Sequence, residues 1–256
     1  MATKIISYNV NGIRAAMNKD WITWLKAANP DILCLQEVKA FPEQVNLDPV
    51  KELGYHIYWY PAKKPGYSGV AMFCKKEPDE VVYGCGISKY DDEGRILRAD
   101  FGKYSFFSTY FPSGTSGDER QAFKMEFLGD FRKYIKSLRK KREFMVISGD
   151  INICHKAIDI HNPVSNKNTS GFLPEEREWM DDFTGDGFID TFRVFNQEPH
   201  QYSWWSQRFK ARDRNLGWRI DYHLATENLR NKLRKAAIYP EAKHSDHCPV
   251  MLELDI

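Results

Sequence analysis

The chain has 256 residues, 42% hydrophobic and 28% charged, with a formal net charge of +2 at pH 7. That balance excludes wholesale disorder, and the net charge is too small to announce a nucleic-acid binder by itself. Five cysteines, an odd number with no C-x-x-C pair, exclude a disulfide framework and predict reduced thiols in a cytosolic type of compartment.

In chain order, "MATKIISYNV" leads straight into a strand pattern, with no apolar leader and no segment long enough for a membrane span. An intracellular location is expected, cytoplasm or nucleoid, or the nucleus in a eukaryote. Short runs rich in β-branched and aromatic residues predict strands at Ile5–Val10, Ile32–Leu35, His56–Tyr60, Val70–Cys74, Ile96–Phe101, Ser105–Phe111, Phe144–Ile147, Ile220–Leu224 and Pro249–Leu254. Helical spacing appears at Trp21–Ala28 and over Glu119–Arg142, where Phe123, Phe127, Phe131, Ile135 and Leu138 form one apolar stripe. Pro174 opens a further helix. Many strands with three or four helices predict a layered α+β domain, single over residues 1–256, with two packed sheets and helices outside.

Polar residues recur where these strands stop or start. Asn9 and Asn11 follow the first run, Glu37 the second, and Tyr110 ends "SFFSTY". Asp150 and Asn152 follow "FMVISG", Asp221 lies in "WRIDYHL", and His244, Asp246 and His247 precede the last strand. Each alone has an ordinary reading: a surface charge for Glu37, a turn for Asp150, a structural ion pair for Asp221, a satisfied imidazole for His247, a sheet aromatic for Tyr110. As a set they are the parts of metal-assisted phosphodiester hydrolysis. Carboxylates suit a hard oxygen-seeking cation, a carboxylate can orient or deprotonate water, and His, Asn and Tyr donate to a charged phosphate. His/Cys spacing for zinc and a Gly-rich phosphate loop are both missing. The pairs Cys154-His155 and His247-Cys248 are poor nucleophile–base pairs, since neighbours on a strand point to opposite faces.

The segments "SYNVNGIRA", "DILCLQEVK", "TYFPSG", "SGDIN", "NLGWRIDYHLAT" and "HSDHCPV", in this order, resemble the exonuclease III family of abasic-site (AP) endonucleases. That family lies within the DNase I-like endonuclease/exonuclease/phosphatase superfamily. The resemblance runs from residue 4 to 254. It implies a four-layer α/β sandwich, two mixed sheets flanked by helices, with the site at one edge. It further implies Glu37 as the main Mg²⁺ ligand, with Asn9 and Asp246 close to the metal and Mn²⁺ as a substitute. Asp150 matches the residue that handles the attacking water, with Asn152 beside it. His247 matches the phosphate-contacting imidazole, Asp221 the carboxylate that holds it, and Tyr110 a phenol on the scissile phosphate. Trp204, Trp218 and Ile220 match an abasic pocket. Lys39, Asn11, Asn162, Asn166 and Arg208 match positions near substrate. Some members push a Met and an Arg into flanking DNA; here the register places Arg208 and Ser116 there, and the serine cannot reach as an arginine does.

The implied activity is hydrolysis 5′ to an abasic site in duplex DNA, with 3′-5′ exonuclease or 3′-phosphatase action, by a monomer that has no membrane partner. Two alternatives are a general nuclease or phosphatase of the wider superfamily, and a DNA-binding module without catalysis. Arg208, Lys210, Arg212, Arg214 and Arg219 around the pocket tryptophans predict a phosphate-tracking strip. The cluster Arg132–Arg142 reads instead as a solvated helix end.

Overall fold

The computed structural model describes residues 2–256. Its strands are β1 (Ala2–Asn9), β2 (Ile32–Gln36), β3 (His56–Tyr60), β4 (Val70–Cys74), β5 (Glu80–Tyr83), β6 (Ile96–Phe101) and β7 (Tyr104–Tyr110). There follow β8 (Phe144–Asp150), β9 (Phe188–Asp190), β10 (Trp204–Trp205), β11 (Gly217–Trp218), β12 (Asp221–Thr226), β13 (Leu233–Ile238) and β14 (Val250–Asp255). One six-stranded sheet has the order β13-β14-β1-β2-β4-β3, the other β5-β6-β7-β8-β12-β9. Both are mixed: β1 runs parallel to β2 and β7 parallel to β8, while the remaining neighbours are antiparallel.

The helices are α1 (Ile13–Met17), α2 (Trp21–Ala28), α3 (Asp48–Glu52), α4 (Ser88–Asp91), α5 (Asp118–Leu138), α6 (Pro174–Gly185) and α7 (Thr191–Phe195). Seven α-helices exceed the three or four expected, because α1, α3, α4 and α7 are only four or five residues long and too short to show a period. The long helix also stops at Leu138, four residues early. Beyond it, Arg142 turns back to bond Ser105 Oγ and the Gly102 and Tyr104 carbonyls.

Three apolar cores alternate with the layers. Ile5, Cys34, Met72, Ala99, Phe106 and Val146 meet between the sheets. Leu33, Leu35 and Phe73 point the other way, against Trp21 and Leu25 of α2. Phe107, Met145 and Ile147 do the same against Phe127 and Phe131 of α5 and Trp179 and Phe183 of α6. Strands covered on both faces read as continuous apolar runs, which is why "ILCL" and "VAMFC" show no polar alternation. The result is a four-layer sandwich whose sheet edges are open to solvent at one rim.

Candidate active site

Sheet register assembles the rim. In the parallel β7–β8 pair Tyr110 is opposite Asp150, and in the antiparallel β8–β12 pair Asp150 is opposite Asp221. Directly opposed residues share a face, so the phenol and two carboxylates stand in a row aimed between the sheets. From the facing sheet, β1 ends at Asn9 opposite Gln36, and Glu37 follows. Before Asp150 lies Gly149, with φ +153, where an added Cβ would sit 1.9 Å from the Thr109 carbonyl oxygen. Only glycine lets β7 and β8 close up there.

Asn9 is fully buried and joins the two carboxylates: its Nδ2 donates to Glu37 Oε1 at 2.8 Å and to Asp150 Oδ2 at 2.9 Å. Its Oδ1 accepts from the Asn11 amide at 2.9 Å. Asn11 Nδ2 in turn donates to Asp246 Oδ1 at 2.9 Å, and Lys39 Nζ bonds Asn11 Oδ1 and stands 2.7 Å from Glu37 Oε2. Asn11, Glu37, Lys39 and Asn152 all have positive φ, between 44° and 55°. Such left-handed backbone is uncommon outside glycine and is held here by the network around it.

On the other side, His247 Nδ1 lies 2.9 Å from Asp221 Oδ2, which also accepts from Ser203 Oγ at 2.6 Å. His247 Nε2 faces Asp150 Oδ2 at 3.8 Å. Burial alone would lower the imidazole, but the Asp221 carboxylate outweighs it and holds His247 up at about 10. The ring is therefore an imidazolium at neutral pH. Burial also raises the Asp150 carboxyl; the His247 charge opposes this, and the Asp221 and Glu37 carboxylates add to it. Burial pushes the Tyr110 phenol well above its ordinary value, so it is a donor rather than a phenolate. Asp246 stays below the usual range: burial would raise it, but His247 and bonds from Asn11, the Trp204 indole and Ser245 win.

Beside the imidazole is a cavity of about 320 Å³, walled by Trp204, Trp218 and Ile220, with Glu37, Tyr110, Asp150, Asn152, Asp246 and His247 at its polar end. The two indoles meet edge to face, with ring centroids 6.0 Å apart and planes at 88°. Behind them Cys154, Ile160, Phe172 and Ile220 form a small core. Ser113, Thr115, Thr169, Ser170 and Gly171 complete the lining. None of these five is singled out from the sequence, although Ser113 lies within the segment "TYFPSG" that carries the resemblance.

Four other candidate residues lie outside the cavity lining. Asn162 and Asn166 are outside the cavity lining; Asn166 Nδ2 bonds the His161 and Asn162 carbonyls and closes its own turn. Arg208 and Ser116 are exposed on loops. The basic strip is a correction. Arg219 is only 1% exposed and is ion-paired at 2.7 Å to Asp159 and 2.5 Å to Asp190, so it cannot reach a phosphate. Arg212 is spent on the Pro240, Ala242 and Ser245 carbonyls and on the face of Trp205. Arg208, Lys210 and Arg214 remain exposed. On α5, Arg132 and Lys136 pair with Asp182 and Asp186, and Arg139 and Arg142 bond backbone carbonyls, so these residues of the cluster read as a solvated helix end are tied to neighbouring elements instead.

Among the described residues, ligand atoms of Glu37, Asp150 and His247 all lie within 4.8 Å of one another. Oxygen donors dominate this group, and its imidazole is committed to Asp221. A hard divalent cation held by the carboxylates fits better than zinc.

Two facing sheets with carboxylates, a phenol and a charged imidazole at one rim, beside a tryptophan-walled cavity, define a DNase I-like hydrolase. The chain belongs to the Endonuclease/Exonuclease/phosphatase family, which matches residues 6–247, and within it to the exonuclease III type of AP endonuclease. It is 43% identical over 255 residues to an exodeoxyribonuclease of Bacillus subtilis (strain 168), covering 99% of this chain and 100% of the relative. It is 38% identical to the DNA repair nuclease APEX1 of Danio rerio, covering 99% of this chain and 82% of that protein. Its fold matches an AP endonuclease from Archaeoglobus fulgidus with a TM-score of 0.89 and 32% identity, over 99% and 100% of the two chains.

Proposed function

We propose that the chain is a DNA repair AP endonuclease that hydrolyses the phosphodiester 5′ to an abasic site in duplex DNA, with Mg²⁺ as its cation. The observation that carries this reading is the junction at one rim of a hydrolytic constellation and a small aromatic cavity. A phosphate seated beside His247 would have its 3′ sugar against Trp204 and Trp218. A sugar without a base fits such walls, and an attached base meets them sterically. A terminal 3′-phosphate presents the same bond between phosphorus and the upstream 3′-oxygen, with no base beyond it to meet the walls, so 3′-phosphatase action belongs to the same site, and 3′-5′ exonuclease action would break that bond too.

Glu37 would hold the cation, with Asp246 and Asn9 close by, and the ion when bound supplies positive charge to the phosphate oxygens. The remaining chemistry belongs to side chains. Asp150, held by the Asn9 amide and by the Asn152 N–H at 2.9 Å, orients the attacking water and takes its proton as the water oxygen bonds phosphorus, while the bond from phosphorus to the upstream 3′-oxygen breaks and that oxygen takes a proton from solvent. Its raised affinity for a proton suits that task. His247, fixed and charged by Asp221, donates from Nε2 to the phosphate oxygen on which charge grows. The Tyr110 hydroxyl is the second donor. Removing one such donor costs on the order of 10²–10³ in rate.

The test is cleavage of three substrates: a duplex with one abasic site, the same duplex intact, and a duplex with a 3′-phosphate, each with and without EDTA. Incision 5′ to the abasic site that stops with EDTA is expected. Equal cutting of the intact duplex would favour a general nuclease, and no cutting with tight binding would favour a binding module.

A further inference from the structure

Lys124 and Glu176 are both 0% exposed, yet they sit outside the constellation described so far. Lys124 comes from the middle of α5 and Glu176 from the first turn of α6, and Nζ and Oε1 are 2.5 Å apart. A buried ion pair is weak evidence of stabilisation, because desolvating two charges cancels most of their attraction. Its other bonds are therefore informative. Lys124 Nζ donates at 2.8 Å to the carbonyl of Asn152, the residue whose N–H holds Asp150. Glu176 Oε2 accepts from the N–H of Gly171 at 2.6 Å and of Leu173 at 3.0 Å. Gly171 lies against the pocket wall: a Cβ there would stand 2.9 Å from the Trp218 ring. Its carbonyl accepts from the Cys154 N–H at 2.7 Å, which closes the loop back onto the segment that follows β8.

One ion pair thus grips both the residue that holds the proposed water-handling carboxylate and the backbone that backs the Trp218 wall. We propose that Lys124 and Glu176 are positioning residues that keep Asp150 and the sugar pocket in register with one another, so that they govern turnover rather than DNA affinity. The inference rests on the function proposed above. Neither residue touches substrate; both act through Asn152 and Gly171. Misplacing a reacting group by about 1 Å can cost on the order of 10²-fold in rate.

The test uses the double variant Lys124→Met/Glu176→Leu. Replacing both members of a buried pair by apolar residues is often neutral for stability, whereas removing one strands a charge. The readouts are melting temperature, single-turnover cleavage of the abasic duplex with Mg²⁺, affinity for that duplex in EDTA, and amide exchange at Asn152 and Cys154. Neither of those amides bonds Lys124 or Glu176 directly. The expected result is a cooperatively folded protein whose melting temperature falls, because the Asn152 carbonyl and the Gly171 and Leu173 N–H groups lose their partners, with affinity within a few-fold, a rate loss on the order of 10²-fold, and faster exchange at both amides. A folded double variant with wild-type rate and exchange overturns the proposal, as does a rate loss matched by an equal loss of affinity. Should the double variant not fold, Lys124→Met/Glu176→Gln, which strands no charge and leaves an amide oxygen for the Gly171 and Leu173 N–H groups, is judged by the same pattern. If the wild type itself does not cut the abasic duplex, the function proposed above fails, and the exchange of the two amides alone decides this inference.

Discussion

The sharpest prediction concerns Asp221, whose carboxylate stands 2.9 Å from His247 Nδ1 in a site where both are almost wholly buried. The rise of His247 from 6.5 to about 10 corresponds to ~5 kcal/mol of preference for the charged ring. In Asp221→Asn that preference is largely removed. Burial then favours neutral imidazole, and Asp150, 3.8 Å from Nε2, is a more distant charge. His247 should titrate about three units lower or more, so that at pH 7.5 it loses most of its charge. Carbon-13 labelled histidine in EDTA reports this directly: the wild-type His247 resonance stays in its charged position up to about pH 9, and the variant's moves near neutrality. The sign for stability follows from the raised value: His247 stabilises the fold fully below pH 6.5, and that contribution is lost as pH climbs through about 10. Single-turnover cleavage at pH 7.5 should fall on the order of 10²–10³-fold, the worth of one charged donor at the transition state. A wild-type His247 that titrates near 6.5, or a variant that titrates like the wild type, refutes the reasoning.

Other outcomes are expected. Asp150→Asn should bind abasic duplex normally and lose rate by roughly 10²–10⁴-fold, measured by anisotropy and quenched-flow; an equal loss of binding points to another role. Glu37→Ala should need more Mg²⁺ and regain part of its activity at high Mg²⁺; wild-type activity at low Mg²⁺ removes Glu37 from the cation. Trp218→Ala should lose abasic cleavage and gain relative activity on sites that carry a base, a ratio insensitive to the folded fraction; a parallel fall in both assigns Trp218 to packing alone. His223 is buried between Ser148 Oγ and the Val250 carbonyl, and burial lowers it to about 4. Its neutral form therefore stabilises the fold above pH 6.5, and ~3 kcal/mol is lost as pH falls from 6.5 to about 4. Urea unfolding at pH 7 and pH 5 should show about 2 kcal/mol of that loss in the wild type and a shallower one in His223→Gln.

Local pattern carried far in this chain. All nine strands anticipated from short apolar runs exist, and β2 and β4, covered on both faces, are apolar almost along their length. Those that escaped notice have physical reasons. Edge strand β5 is exposed at both ends, and edge strand β13 carries Arg234 and Lys235 facing solvent. Strands β9, β10 and β11 are two or three residues long. The polar residues at strand ends were visible one by one, and the resemblance to a known family supplied their expected roles.

What the sequence by itself determined was the nine apolar strands, the stripe of α5 and the polar residues at strand ends, since each depends on spacing within a few residues. Only the tertiary structure decided who faces whom. Tyr110, Asp150 and Asp221 form one row because β7, β8 and β12 pair in a particular register, across gaps in sequence that no local pattern measures. Arg219 looked as available to phosphate as Arg208, two turns of basic sequence being alike on paper. Folding buries the first between Asp159 and Asp190 and leaves the second in solvent. A charge is free or spent according to its partners, and partners distant along the chain are chosen by packing.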